Sequence, residues 1–403
     1  MTALSTTFAT RTAHMQSNAV REILKVVNRP GMVSLAGGIP APESFPLDLM
    51  QTLTSDVLSR YGSTALQYDA TEGFGPLREE LVGYLGAKGV ATHADALLVF
   101  SGSQGVLDSL GKILISPGDA VAVEAPTYLG ALSAFNPYEP RYVQVPTDEE
   151  GLIPEALEIV LQRELIKFIY LVPTFQNPTG RTLPLARRQA IAALLQKYGV
   201  LLVEDDPYGD LRYQGSAVPS IKEFAPDHVV YVSTLSKTFA PGLRIGFCVA
   251  PSAIYRWLVI AKQGVDLHTS TLNQALAAEY LRGGHLQRQL PKIVAIYAPR
   301  QQAMLAALDR HLPDGFQWTQ PDGGMFLWLE GPTGLDTEEI YWQAVAQNVA
   351  FVPGKFFYTE PRAGQATMRL NYTMSNEATI DRAVQILSQV LAAAVAQIKD
   401  VGQ

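Results

Sequence analysis

One cysteine, Cys248, is all that the 403-residue chain contains, which excludes an intramolecular disulfide. Its place in the strand-like run Ile245-Gly-Phe-Cys-Val-Ala250 marks it as a small buried hydrophobe rather than a nucleophile. The chain also lacks an uncharged apolar run of about 18 residues and a basic-then-apolar leader, so a cytoplasmic protein with no membrane partner is expected. Basic residues are in the minority, 31 Lys and Arg against 38 Asp and Glu. The resulting net charge of −7 argues against nucleic acid as a partner, because phosphate repels an acidic surface. No internal repeat and no low-complexity segment occurs, and no metal site is expected.

What the chain has is apolar residues, 47% of the total, and more length than one ordinary core requires. Between residues 97 and 250 short apolar runs, at 97–100, 120–124, 142–145, 168–172, 201–204, 229–233 and 245–250, alternate with helical stretches. The helices include 106–114, 185–198 and 254–263. This alternation predicts an α/β fold, a mostly parallel central sheet covered by helices. Beyond residue 265 come helices at 271–281 and 286–312, the longer one bent near Pro291 or Pro299. Short strands at 316–319, 325–329, 349–352 and 368–372, a helix at 337–346 and a closing Ala-rich helix at 376–398 predict a smaller α+β domain.

The first 15 residues are polar and aperiodic and read as a mobile start. Gln16 to Val27 reads as an amphipathic helix, with Val20, Ile23, Leu24 and Val27 on one face and Arg21 on another. Helices at 47–59 and 76–85 precede the alternating region, the second opened by Pro76. The expected division is an N-terminal segment at 1–46 that packs with the small domain, a large domain at 47–290 and a small C-terminal domain at 291–403.

Ligands of such sheets lie beyond the carboxyl ends of the strands, so the loops there hold the candidate residues. Ser101-Gly-Ser-Gln-Gly105 opens a helix, where free N–H groups and the positive dipole end attract an anion. Tyr128, after the run 121–124, is suited to stack on an aromatic ligand. Asn177, in Pro173-Thr-Phe-Gln-Asn-Pro-Thr-Gly180, has an amide able to donate to a phenolate oxygen. Glu204-Asp-Asp-Pro-Tyr208 puts carboxylates at a buried strand end, which demands a cationic partner such as a protonated pyridine nitrogen.

The stretch from Val229 to Arg244 closes the series. An apolar run ends in hydroxyls, then Lys237, then a Pro-Gly turn that delivers Arg244 seven residues after the lysine. A lysine held among apolar groups and other cations has a depressed pKa and forms Schiff bases. Thr234, Ser236 and Arg244 beside it are donors suited to a phosphate. Elsewhere, Gly37-Gly38 permits close backbone approach, Tyr68 heads a glycine-containing loop, and the Arg369 fork suits a carboxylate. Singly, each of these is equally an ordinary turn, packing or surface residue. Following separate strands of one sheet in order, the Ser101–Gly105 loop, Tyr128, Asn177, an Asp, Lys237 and Arg244 together satisfy the polar groups of pyridoxal 5'-phosphate.

With Asn-Pro-Thr-Gly at 177–180 and Ser-x-x-Ser-Lys-x-x-x-Pro-Gly-x-Arg at 233–244, the chain resembles a fold-type I, class I/II aminotransferase over nearly its whole length. It is most similar to bacterial 2-aminoadipate aminotransferases of the lysine pathway and to kynurenine aminotransferases. The shared pattern includes Ala36-Gly-Gly-Ile-Pro-Ala-Pro42, Gln67-Tyr68, Ser101-Gly-Ser-Gln104, Phe175-Gln-Asn-Pro178, Gln263-Gly-Val-Asp-Leu-His-Thr269 and Gly323-Gly-Met-Phe326. The resemblance implies Lys237 as the Schiff-base lysine, Tyr128 stacked on the ring, and Asn177 with Tyr208 on its phenolate. Two adjacent carboxylates fit the pyridine nitrogen, and the family spacing of three from Asp to Tyr selects Asp205 over Asp206. Ser103, Gln104, Thr234, Ser236 and Arg244 would hold the phosphate, joined by Tyr68 from the neighbouring subunit of a homodimer. Arg369, with Gly38 and Asn177, would bind the substrate α-carboxylate, and Arg21 the distal acid of the substrate.

The reaction so implied moves an amino group from an L-amino acid, such as 2-aminoadipate or glutamate, to a 2-oxo acid such as 2-oxoglutarate, with ping-pong kinetics. A carbon–sulfur β-lyase or a decarboxylase would use the same cradle. A transcription regulator of the same fold would need a DNA-binding helix pair ahead of the sheet, where this chain carries the Arg21, Gly38 and Tyr68 segments.

Overall fold

Seven strands make the main sheet: β1 (Leu97–Ser101), β2 (Ala120–Glu124), β3 (Arg141–Val145), β4 (Ile166–Leu171), β5 (Leu201–Asp205), β6 (Val229–Thr234) and β7 (Ile245–Val249). Their order is β1-β7-β6-β5-β4-β2-β3. Only β7 runs antiparallel to its neighbours; β3, β2, β4, β5 and β6 pair in parallel. Every residue of β2, β6 and β7 is buried. Helices cover both faces, which is why these strands read as unbroken apolar runs rather than alternating ones. The expected runs agree with the strands to within a residue or two, since an apolar run and the hydrogen-bonded segment need not end together.

The computed structural model describes residues 7–15, 29–360 and 362–401, so the helix expected at 16–27, and Arg21 with it, lies outside the described residues. Thr10–His14 forms a turn of 3-10 helix within the polar, aperiodic segment that was expected to be a mobile start. The helix Leu185–Tyr198 crosses from β4 to β5 and ends at Gly199, whose left-handed φ of 63° lets its N–H return to the Leu195 carbonyl.

A second, antiparallel sheet has the order β8-β9-β11-β10, from β8 (Gln317–Trp318), β9 (Phe326–Glu330), β10 (Val352–Pro353) and β11 (Thr367–Asn371). Val33–Ser34 pairs in parallel with Val349–Ala350, and the Asn371 N–H donates to the Leu35 carbonyl at 2.7 Å. The segment before Gly38 is thereby laid along the small sheet. The helix His285–His311 carries both Pro291 and Pro299 inside one continuous element. Glu377–Ile398 is long and apolar enough to cross a membrane, yet half of it is buried. Ala383, Val384, Leu387 and Leu391 on its inner face are wholly buried in a cluster that also holds Val203 and Val232 of the main sheet and Leu327 of the small one. The apolar character of this helix is thus accounted for by a core that joins the two sheets.

Candidate active site

Parallel pairing brings the ends of β2, β4, β5 and β6 to one edge of the main sheet, and a cavity of about 420 Å³ opens there. Its lining includes Gly38, Ser103, Gln104, Tyr128, Asn177, Asp205, Tyr208, Thr234, Ser236, Lys237, Arg244 and Arg369. These residues span most of the chain, and only the fold assembles them. Tyr68 is not in the lining; it is 77% exposed, with its ring edge-on to His268 at 5.6 Å.

One end of the cavity collects groups that favour an anion. The helix Ser103–Leu114 starts there behind Gly102, whose φ of 90° is open to glycine. A side chain on Gly102 would overlap the Arg244 guanidinium, which lies directly over that glycine. A side chain on Gly246 would strike the Gly102 and Ser103 backbone, so β7 and the loop touch main chain to main chain. Thr234 Oγ1 donates to the Ile245 carbonyl at 2.7 Å and lies 2.8 Å from Ser236 Oγ. Gln104 reaches sideways instead, its Nε2 donating to the Gly130 carbonyl at 2.7 Å.

Three successive carboxylates stand at the end of β5, and strand alternation turns Asp205 to the opposite side from Glu204, with Asp206 just past the strand. Glu204 accepts from Ser220 Oγ at 2.6 Å and from the Ile221 and Lys222 N–H groups at 3.1 Å each. Asp206 accepts from Tyr231 Oη at 2.7 Å and the Gly209 N–H at 2.9 Å, with Lys88 Nζ at 3.2 Å. Burial works against its ionisation, but Lys88, the Tyr231 bond and Arg188 together hold its pKa below the usual value. Asp205 alone of the three lines the cavity. Tyr170 Oη donates to its Oδ2 at 2.7 Å, and its buried Oδ1 has no partner among the described residues. Burial raises this carboxyl to about 7, opposed by the Tyr170 bond and assisted by the Asp206 charge.

Lys237 Nζ donates to the Gly38 carbonyl at 2.7 Å. Burial, with the charges of Arg369 and Arg244, lowers this amine to about 8. In the same cavity, Arg369 donates from Nη1 to Asn177 Oδ1 and from Nη2 to the Ala36 carbonyl, both at 2.7 Å, while its buried Nε has no partner among the described residues. The guanidinium lies over the Phe326 ring at 4.2 Å and near the Phe357 ring at 5.1 Å. Burial pushes its pKa down to about 10. Asn177 Nδ2 in turn donates to Tyr208 Oη at 3.2 Å, so Arg369, Asn177 and Tyr208 form one chain of bonds. Tyr128 stands beside them with its phenol raised to about 12, by burial first and the Asp205 charge second.

Three contributors escape a reading of the sequence. Tyr170 lies inside an apolar strand, where its hydroxyl gives no local signal. Phe326 appears only within a motif, yet it contacts Arg369 and sets its ring edge against Tyr208 at 5.8 Å. Gln176, buried, donates to the Pro126 carbonyl at 2.8 Å and accepts from the Thr179 N–H at 2.8 Å, tying the Asn177 loop to the Tyr128 loop. An amine, a carboxyl oxygen without a donor among the described residues, an anion cradle and a guanidinium thus share one cavity. Such a set suits a ligand with a carbonyl, a protonated ring nitrogen and a phosphate, next to a carboxylate.

Residues 46–387 match the family "Aminotransferase class I and II". The aromatic-amino-acid aminotransferase 1 of Thermococcus litoralis is 43% identical over 391 residues, which is 95% of this chain and 94% of the relative. A kynurenine aminotransferase of Pyrococcus horikoshii, solved in complex with PMP, KYN and KYA, superposes with a TM-score of 0.93 at 41% identity, covering 97% of this chain and 98% of the other. The α-aminoadipate aminotransferase of Thermus thermophilus, complexed with N-(5'-phosphopyridoxyl)-L-leucine, gives 0.91 at 39%, covering 98% and 100%.

Proposed function

Because the chain belongs to the class I and II aminotransferases, we propose that its cavity takes pyridoxal 5'-phosphate and a 2-amino acid, acidic or aromatic, in turn with a 2-oxo acid such as 2-oxoglutarate. The observation that carries this reading is Asp205: a buried carboxyl oxygen without a donor among the described residues, in the same cavity as the Lys237 amine and the Arg244 guanidinium. An oxygen of that kind is costly unless a ligand N–H meets it, and a protonated pyridine supplies one.

In this reading Lys237 holds the cofactor aldehyde, Asp205 Oδ1 the ring nitrogen, and Asn177 with Tyr208 the phenolate oxygen. Tyr128 stacks on the ring. Ser103, Gln104, Thr234, Ser236 and Arg244 take the phosphate, with Tyr68 reaching in from the second subunit of a homodimer; its 77% exposure and absence from its own cavity are in keeping with that. Arg369, preorganised by Asn177 and two aromatic rings, takes the substrate α-carboxylate beside Gly38. Arg21 meets the distal acid. The three relatives named above are described as acting on or binding aromatic, kynurenine and aminoadipate-type compounds, which supports a side-chain site open to more than one class.

When bound, the cofactor supplies an aldehyde for amine exchange and an electron sink for the bond broken at the substrate α-carbon. The protein supplies the proton transfer: Lys237 Nζ, its basicity lowered by burial, is matched to taking a proton from the α-carbon near neutral pH. Asp205 keeps a negative charge against the ring nitrogen, and Arg369 orients the α-carbon by its carboxylate. Donor and acceptor use one cavity in succession, hence ping-pong kinetics. The test is a donor panel of 2-aminoadipate, glutamate, kynurenine, phenylalanine and leucine with 2-oxoglutarate. Keto-acid-dependent turnover is expected, and release of CO2 from any of these, or of a thiol with pyruvate and ammonia from cysteine conjugates, without glutamate formation would count against the reading.

A further inference from the structure

Tyr170 lies on β4, opposite Val203 of β5 in the parallel register and therefore two residues short of Asp205. It is wholly buried, with its ring edge-on to Phe135 at 5.9 Å. Its hydroxyl reaches past the end of β5 to Asp205 Oδ2 at 2.7 Å. Among the described residues it is the one hydrogen-bond donor to that carboxylate, whose other oxygen is buried and has no partner.

We propose that Tyr170 is a positioning residue of this enzyme, tying one Asp205 oxygen back to the sheet so that the other is held facing the cofactor ring nitrogen. This rests on the reading of the site given above. Its physical basis is an asymmetry. A carboxylate with both oxygens free can turn about its last torsion, whereas one bonded at 2.7 Å has a single orientation left. A donor on Oδ2 also favours the charged form, opposing the burial that pushes the group toward neutrality. The phenol stays a donor, because burial, and then the Asp205 charge, raise its own pKa well above the usual value. The other titratable groups near Asp205 are Tyr128 from the loop after β2, Asp206 and Tyr208 on its own run, and Lys237 across the cavity. None of them donates to it.

The test uses the full chain loaded with pyridoxal 5'-phosphate. Tyr170→Phe keeps the ring packing and removes only the hydroxyl. Melting temperature reports the fold, while cofactor affinity and the pH midpoint of the visible absorption band report the site. Cofactor affinity and kcat/KM are each expected to fall about tenfold or more, with the band midpoint displaced from that of the parent protein. In an Asp205→Asn background the same change is expected to have no further effect on affinity, since the effect runs through that carboxylate. Should the Phe variant fold poorly, 3,5-difluorotyrosine at position 170, a stronger donor of nearly the same shape, is expected to move the midpoint the opposite way. Unchanged affinity and midpoint in both variants, or an equal loss with and without Asp205, would overturn the role. A parent protein that binds no pyridoxal phosphate overturns the cofactor reading and this role with it, whereas a parent that binds and an indifferent Tyr170 overturn the role alone.

Discussion

The Lys237 amine rests on the Gly38 carbonyl, a 2.7 Å bond between residues 199 positions apart in the chain. In the proposed reaction the amine exchanges that carbonyl for cofactor and substrate. Lys237→Ala is therefore expected to lower kcat by at least about a hundredfold, the low end for a lost general base. Borohydride reduction with pyridoxal phosphate should tag the peptide that contains Lys237 in the parent and leave the variant unlabelled. A tag on a different lysine of the parent protein would move the assignment elsewhere.

The same amine makes a prediction about pH. Its folded pKa of about 8 lies below its ordinary 10.5, so between these values the unfolded chain binds more protons. Stability of the cofactor-free protein from this residue therefore rises as pH climbs through that window, and below about 8 the buried charge is a full cost. Lys237→Met removes the charge. Urea unfolding should show the variant ahead of the parent at about pH 7, with the gap narrowing by about pH 10; a gap of constant size would contradict the assignment.

Arg369→Lys retains a positive charge but loses the planar fork that bonds Asn177 and the Ala36 carbonyl. KM is expected to rise about tenfold or more for every amino donor, with the ranking of donors preserved, because the α-carboxylate is common to all. Steady-state kinetics across the panel checks this, and a loss confined to acidic donors would show Arg369 to be reading the side chain.

Arg21 carries the complementary expectation. Arg21→Ala should lower kcat/KM for 2-aminoadipate and glutamate relative to leucine and phenylalanine, by about tenfold for a lost charge-assisted contact. An unchanged acidic-to-neutral ratio would remove Arg21 from the substrate site.

Lys88 is tested by stability rather than by rate. It lies 3.2 Å from Asp206 and 3.4 Å from Asp210, behind the cavity wall. Lys88→Ala leaves two carboxylates with little water and no cation at that distance, for a loss of about 3–5 kcal/mol in chemical denaturation. A loss under about 1 kcal/mol would mean that water takes the place of the ammonium.

Much of the fold was legible because its strands are apolar runs separated by helical periodicity. Leu185–Tyr198 and Ala120–Glu124 were placed to the residue. The turn at Thr10–His14 was not legible, since four polar residues and one alanine show no period. Within the site, Lys237, Asn177 and Arg244 were readable because each ends a strand or sits in a turn, where chemistry and local pattern coincide. Tyr170 was not, because its hydroxyl acts on a residue 35 positions later through a strand pairing that no local pattern records.

The sequence by itself determined the order of strands and helices, the chemical inventory at the strand ends and the family resemblance, since these depend on residue type and spacing along the chain. The family resemblance selected Asp205 over Asp206, but only the tertiary structure supplies the physical reason that Asp205 alone of Glu204, Asp205 and Asp206 faces the cavity. Strand alternation and the neighbours supplied by other elements, Ser220, Tyr170 and Lys88, give three adjacent carboxylates three different environments. Tertiary structure likewise brought Arg369 from the small sheet onto Asn177 of the loop that follows β4, 192 positions away, because burying a guanidinium requires acceptors and aromatic faces that no single segment provides.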